Sequence, residues 1–275
     1  MSGILEGKRA VVTGGSGILG RDMALALAED GATVYLGARS LASAQKAIDA
    51  VLQSHPEKDL LSSRLVPLIF DVTNTESLKE AAARVESDGM ADILVNAAGG
   101  NRPAASTTPE KDFFSLDLSA IEEVMQLNFH GTLQATQAFA AGMAARQEGC
   151  IVNITSMAAV RPLTKVVGYS ASKAAVVNFT QWLAVHLAQI HGAGLRVNAL
   201  SPGFFLTEQN HYLMVLPDGS LSERAKTILA HTPHNRFGAS EDLVSTLRWL
   251  VSPASKFVTG TVIPVDGGFS AFGGV

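Results

Sequence analysis

Cysteine is nearly absent from this chain: Cys150 stands alone among 275 residues. One thiol excludes an intramolecular disulfide and leaves no cysteine zinc cluster, which suits a reducing compartment. Cys150 itself reads as a small buried residue rather than a nucleophile. His191, His231 and His234 have no metal-ligand company and read as surface residues, so no metal site is expected. The chain also lacks an uninterrupted apolar run of about 18 residues, so no membrane span is expected. Residues 1–9 lead at once into a short apolar strand, with no long apolar stretch or cleavage site ahead of it, and a cytoplasmic protein is expected. Neither sign of charge dominates. Lys and Arg number 21 and Asp and Glu 25, a net charge of −4 that offers no footprint for nucleic acid or an anionic membrane. Repeats, low-complexity tracts and linkers are missing too. With 47% hydrophobic and 17% charged residues, the composition is that of an ordinary folded protein, and one α/β domain over residues 1–275 is the economical expectation.

What is present centres on Tyr169-Ser170-Ala171-Ser172-Lys173, followed by an apolar, helix-favouring run over residues 174–189. Positions four apart share a helix face, so the phenol and the ammonium are offered to the same space. A phenol with an unperturbed pKa of about 10 is a poor proton donor or acceptor at neutral pH, and a fixed cation beside it is expected to lower that value. The spacing is common by chance. Its weight comes from the rest of the chain.

Residues 10–13 read as a buried strand ending in Thr13-Gly14-Gly15-Ser16-Gly17-Ile18-Leu19-Gly20, ahead of a helix over about residues 21–29. Such a turn offers backbone N–H groups and the positive end of a helix to a pyrophosphate. A second strand at 33–37 is followed by Ala38-Arg39-Ser40, where dinucleotide folds would put an acidic residue on the adenosine ribose. None is there. Arg39 could instead meet a 2′-phosphate bidentately, so NADP(H) is favoured and NAD(H) stays open; the competing reading is a solvated cation opening the helix at 41–53.

Strands at 65–70 and 93–95, with a helix at 76–86 between them, end in Asp71-Val72 and Asn96-Ala97-Ala98-Gly99-Gly100. This alternation predicts a parallel sheet with helices on both faces. Asp71 could accept a hydrogen bond from adenine or simply cap a turn, and Ala97-Ala98-Gly99 could let a cofactor approach the backbone. Residues 101–117 read as a polar loop over the site. A helix at about 119–145 carries Asn128, a residue type that usually faces water from a helix interior. A strand at 151–154 delivers Thr155-Ser156. Another at 195–200 leads into Ser201-Pro202-Gly203-Phe204-Phe205-Leu206-Thr207 and an irregular stretch containing a helix at about 221–231. A helix at 241–251 and a last strand at 261–265 close the chain, with Asp266 organising the final turn.

Together the glycine turn, Asn96-Ala97-Ala98-Gly99, Asn128, Ser156, Tyr169 with Lys173, and Pro202-Gly203 with Thr207 resemble the short-chain dehydrogenase/reductase family over essentially the whole chain. The resemblance implies a Rossmann-type doubly wound α/β domain of about seven parallel strands flanked by helices, a nicotinamide cofactor and a homotetramer. It makes Asn128, Ser156, Tyr169 and Lys173 the catalytic set. Tyr169 would exchange a proton with the substrate oxygen and Ser156 would hydrogen-bond that oxygen. Lys173 would lower the Tyr169 pKa and hold the nicotinamide ribose, and Asn128 would fix a water leading to solvent. Cofactor contacts are implied at Thr13, Gly14, Gly15, Ser16, Gly17, Ile18, Leu19, Arg39, Asp71, Val72, Asn96, Ala97, Ala98, Gly99, Asn128, Tyr169, Lys173, Pro202, Gly203, Phe205 and Thr207. One departure is the spacing of Gly14, Gly17 and Gly20, which is more typical of longer members, whereas this chain lacks the length for their substrate domain.

Gly99-Gly100-Asn101-Arg102-Pro103, Arg161-Pro162-Leu163-Thr164-Lys165 and Phe204-Phe205-Leu206-Thr207-Glu208-Gln209-Asn210 are similar to a subgroup of that family, the D-mannonate oxidoreductases or fructuronate reductases. This implies a sugar-acid substrate contacted by Asn101, Arg102, Ser156, Arg161, Tyr169, Gln209 and Asn210. A buried carboxylate needs a cation, so Arg161 or Arg102 could clamp it; equally, Arg161 could be a loop arginine bonding backbone carbonyls. Two other readings stay open: a reductase of 3-oxoacyl or 2,4-dienoyl thioesters, and a nucleotide-binding member without turnover.

Overall fold

The computed structural model describes residues 3–53, 55–206, 211 and 214–274. Seven strands, β1 (Arg9–Thr13), β2 (Thr33–Ala38), β3 (Leu65–Ile69), β4 (Ile93–Asn96), β5 (Gly149–Ile154), β6 (Leu195–Pro202) and β7 (Val262–Val265), form one sheet in the order β3-β2-β1-β4-β5-β6-β7. Every adjacent pair is parallel. Parallel strands need long crossovers. These carry α1 (Ile18–Glu29), α2 (Leu41–Leu52), α3 (Lys58–Arg64), α4 (Thr75–Ser87), α5 (Leu118–Met125), α6 (Gly131–Arg146), α7 (Val167–Ile190), α8 (Glu223–Ala230) and α9 (Ser240–Val251).

Successive side chains on a strand point to opposite faces. Val12, Val95 and Val152 therefore meet Leu27 of α1 and Leu247 of α9 on one side. Val11, Leu94 and Ile151 meet Val85 of α4, Phe139 of α6 and Leu183 of α7 on the other. Both faces are covered, which is why the central strands read as continuous apolar runs. The doubly wound sheet expected from the sequence is thus the observed one.

The chain leaves β3 on one side of β1 and re-enters the sheet as β4 on the other, so the loops after β1 and β4 diverge and open a crevice at the carboxyl edge. Thr13 is in register with Asn96, and Asn96 with Asn153. The ends of β1, β4 and β5 are therefore level, and the segments that follow them are neighbours. A buried polar row fixes this edge to its helices: Asn96 Nδ2 donates to Asn153 Oδ1 (2.9 Å) and to Thr136 Oγ1 (3.0 Å), and Asn153 Nδ2 to Thr180 Oγ1 (2.9 Å). Each such neutral bond contributes about 1 kcal/mol net.

Two elements differ from expectation. Helix α3 has no apolar period to announce it, since only Leu61 is buried. The helix expected over 119–145 is interrupted: Gln126–His130 form a π-helical turn between α5 and α6, and Asn128 within it is fully buried instead of facing water. The wider turn rotates Asn128 inward, where its amide finds partners described below. Among the described residues no helix is long and apolar enough to cross a membrane.

Candidate active site

The glycine turn is shaped by close approach. Gly14 has φ +64°, and a Cβ there would lie 2.7 Å from Ala98 Cα. One on Gly20 would lie 2.3 Å from the Gly14 carbonyl oxygen. Thr13 Oγ1 accepts from the backbone N–H groups of Ala97 (3.1 Å) and Ala98 (3.0 Å), tying the end of β4 to that of β1. Helix α1 starts at Ile18 behind Gly17, with no side chain capping its first turn. Its open N–H groups, Ser16 and Leu19 beside them, and the bare backbone of Gly14 and Gly15 fit a pyrophosphate.

Arg39 stands exposed just past β2, and Ser40 caps α2 through the Ser43 N–H (3.2 Å). Asp71 follows β3. Its Oδ1 accepts from the Thr73 N–H (2.9 Å) and hydroxyl (2.7 Å). Burial alone would push the carboxyl up, but these bonds, helped by the Arg39 charge, hold it below its ordinary value. Asp71 is thus a turn organiser with one oxygen committed, and Val72 beside it is buried.

The four residues expected to be catalytic lie together at the ends of β4 and β5. Asn128 Oδ1 accepts from Gly100 N–H (3.1 Å), while its Nδ2 donates to the Gly100 carbonyl (2.7 Å) and to that of Val124 (2.8 Å). Lys173 is 4% exposed. Its Nζ donates to the Ile154 carbonyl (2.8 Å) and lies 5.7 Å from the centre of the Tyr169 ring. Thr155 Oγ1 donates to the Lys173 carbonyl (3.0 Å), pinning α7 to β5. Ser156 Oγ accepts from the Ala158 N–H (3.2 Å) and lies near enough to the Tyr169 phenol to lower its proton affinity.

Electrostatics here depart from the sequence expectation. Burial raises the Tyr169 phenol above its ordinary value, with the Ser156 hydroxyl pulling it partly back. Burial also drives the Lys173 amine down to about 8. Lys173 is buried and Tyr169 half-buried, and loss of water penalises phenolate and ammonium alike. A phenol held above its ordinary value keeps its proton at neutral pH.

Gly99 is enclosed by this machinery. A Cβ at that position would lie 2.7 Å from Asn128 Oδ1 and 3.1 Å from Lys173 Nζ. Gly99→Ala is therefore expected to lower kcat/KM by roughly tenfold or more, with an unchanged circular dichroism spectrum. Wild-type kinetics in this variant would remove the close fit as a constraint.

At the rim, Asn101 Nδ2 donates to Ser106 Oγ (2.8 Å), and Arg102 Nε pairs with Glu123 Oε2 (3.1 Å). Both expected substrate contacts are turned to protein partners near their own loop. Arg161 Nε donates to the Ser270 carbonyl (3.2 Å), the loop-arginine geometry. At the end of β6, Gly203 N–H donates to the Val265 carbonyl (3.0 Å), and Pro202 pairs in register with Val265. Phe205 is buried, its ring filling the place a side chain on Gly238 would take. Thr207, Gln209 and Asn210 lie outside the described residues. Asp266 does organise the last turn, accepting from Gly268 N–H and Ser270 N–H (both 2.9 Å). Cys150 is buried, and burial pushes its thiol up to about 11, which leaves it unreactive. Nothing in the sequence announces that Thr13 joins the ends of β1 and β4 or that Thr155 pins α7 to β5, because a threonine at a strand end carries no signal of its partner.

Known proteins resemble this chain in sequence and fold. A family profile described as enoyl-(acyl carrier protein) reductase matches residues 14–270. An uncharacterised oxidoreductase of Bacillus subtilis, UxuB, is 41% identical over 281 residues, covering 98% of both chains. A solved structure from Haemophilus influenzae, provisionally named a D-mannonate oxidoreductase and holding NAD, is 40% identical with a TM-score of 0.88 over 98% of both chains. A gluconate 5-dehydrogenase from Burkholderia cenocepacia in complex with NADP and tartrate is 29% identical with a TM-score of 0.81, covering 97% of this chain and 96% of the other.

Proposed function

Because this chain belongs to the short-chain dehydrogenase/reductase family, we propose that it transfers hydride between a nicotinamide cofactor and a carbonyl or secondary alcohol, with D-fructuronate and D-mannonate, or a closely related sugar acid, as the pair. The observation that carries the chemistry is the half-buried, protonated Tyr169 phenol beside Ser156, with Lys173 one helical turn away and its Nζ 5.7 Å from the phenol ring. When bound, the nicotinamide supplies or accepts the hydride. In the reducing direction Tyr169 gives its proton to the carbonyl oxygen, and Ser156 donates a hydrogen bond to that oxygen as negative charge develops on it. Oxidation runs the same transfers backwards. Lys173 would hold the nicotinamide ribose hydroxyls, and Asn128, which fixes Gly100, would hold a water leading from Lys173 to solvent. The turn from Thr13 to Leu19, with Ala97, Ala98 and Gly99, receives the rest of the dinucleotide.

The sugar-acid assignment draws on the likeness to the Haemophilus influenzae protein. Arg39 supports NADP(H) as the preferred cofactor, since no acidic residue follows β2 to meet a free ribose hydroxyl. A homotetramer belongs to the same reading: the outward side of α7 exposes Trp182 and Val185, each 57%, and Ile190, 64%, with no formal charge among them. The description of the matching family profile favours one competing reading, a thioester reductase.

The test follows NAD(P)H absorbance with purified protein and D-fructuronate, NADPH and NADH being supplied separately. Faster oxidation of NADPH is expected, with the preference reversed in Arg39→Asp. No oxidation of either, in protein shown to bind one of them, would reject the sugar acid and move the search to acetoacetyl thioesters.

A further inference from the structure

Arg161 sits five residues past Ser156, on the loop that leaves β5, where its backbone N–H closes a turn on the Met157 carbonyl (2.9 Å). Its side chain reaches the far end of the sequence, donating from Nε to Ser270 carbonyl oxygen at 3.2 Å. Among the described residues it has no carboxylate partner. Ser270 belongs to a compact turn. Asp266 holds the N–H groups of Gly268 and Ser270 with its two oxygens, and Ala271 and Phe272 N–H both return to the Gly268 carbonyl (3.1 Å).

This turn starts at β7, on the edge of the sheet. It is pressed onto the end of β6, since a Cβ on Gly203 would lie 2.6 Å from Asp266 Cβ, and the Phe269 ring meets that of Phe204 at 5.1 Å. The bond to Arg161 then brings it to the loop after β5. The turn and the Arg161 side chain together therefore link the loop after β5 to β7 across the end of β6, a distance of two strand spacings, roughly 10 Å. On the oxidoreductase reading above, this stretch of the carboxyl edge is the mouth through which the substrate must pass.

We propose that Arg161 is a positioning residue whose bond to Ser270 holds the C-terminal turn across the substrate mouth, making residues 268–272 a wall of the substrate site and a determinant of what it accepts. Arg161 then acts through the tail, not by clamping a carboxylate. The reacting groups are untouched when the brace is removed, so substrate affinity changes and the chemical step does not.

The test compares wild type with Arg161→Met, Arg161→Lys, Phe269→Ala and the Arg161→Met/Phe269→Ala pair. Chymotrypsin digestion read by mass spectrometry is expected to cut at Phe269 or Phe272 roughly tenfold faster in Arg161→Met, with Arg161→Lys partly protected because lysine still donates. For the best carbonyl substrate of the wild type, KM is expected to rise roughly tenfold with kcat within about twofold, and the double variant to be no worse than the worse single one. Unchanged tail cleavage in Arg161→Met overturns the proposal, as does a KM rise confined to acidic substrates or additive in the double variant. If the wild type reduces no carbonyl at all, the oxidoreductase reading fails, and the cleavage comparison still decides on the brace.

Discussion

Tyr169→Phe is expected to lower kcat/KM for carbonyl reduction by roughly 10²- to 10⁴-fold, the range over which a positioned general acid acts. Cofactor affinity should change by less than about threefold, because the lost group makes at most one bond to the ribose. The reasoning starts from the burial that keeps the phenol protonated. At any pH below its raised value the side chain carries the proton that the carbonyl oxygen needs, and phenylalanine keeps the ring's packing without that proton. Ser156 remains to bond the oxygen, so turnover should fall steeply without vanishing. Steady-state kinetics combined with a cofactor titration separates the two effects. Activity within tenfold of wild type would mean that another group delivers the proton and would remove Tyr169 from the mechanism.

Lys173→Met should abolish most turnover, by roughly 10²-fold or more, and at the same time stabilise the protein when no cofactor is added. The amine is driven from its ordinary 10.5 to about 8 by burial alone, so a charged Lys173 weakens the fold. Between those values the unfolded chain binds more protons than the folded one, and stability rises with pH. The penalty is therefore complete below about 8 and fades as pH climbs toward 10.5. Methionine keeps the length of the stem but forfeits the bond to the Ile154 carbonyl. The net gain at neutral pH is expected to be about 2 kcal/mol, the desolvation penalty less one hydrogen bond. Urea unfolding at pH 7 and pH 10 checks it, and the advantage of the variant should shrink at the higher pH. A variant less stable than wild type at pH 7, by an amount indifferent to pH, would show that Lys173 is not held at an energetic cost.

The chain itself determined the elements whose cause is local. Thr13-Gly14-Gly15 had to turn tightly because only glycine tolerates φ +64° with Ala98 against it. Tyr169 and Lys173 had to share a face because a helix places residues four apart together, and the buried strands were legible because both their faces are apolar. What only the tertiary structure decided concerns partners and solvent. Asn128 belongs to the set that the family resemblance implies, but only the fold decides that a π turn buries it on Gly100, a loop residue 28 positions away. Arg102 and Arg161 read as candidate carboxylate clamps, with a loop arginine bonding backbone carbonyls as the equal alternative for Arg161, and the fold sets Arg102 on Glu123 and Arg161 on the Ser270 carbonyl. The charge of Lys173 read as the influence that sets Tyr169, yet desolvation by what the fold packs around them is the largest influence on both groups. Backbone conformation follows from a residue and its near neighbours. Hydrogen-bond partners and proton affinity follow from whatever the fold packs around a group, and that is settled only when distant parts of the chain meet.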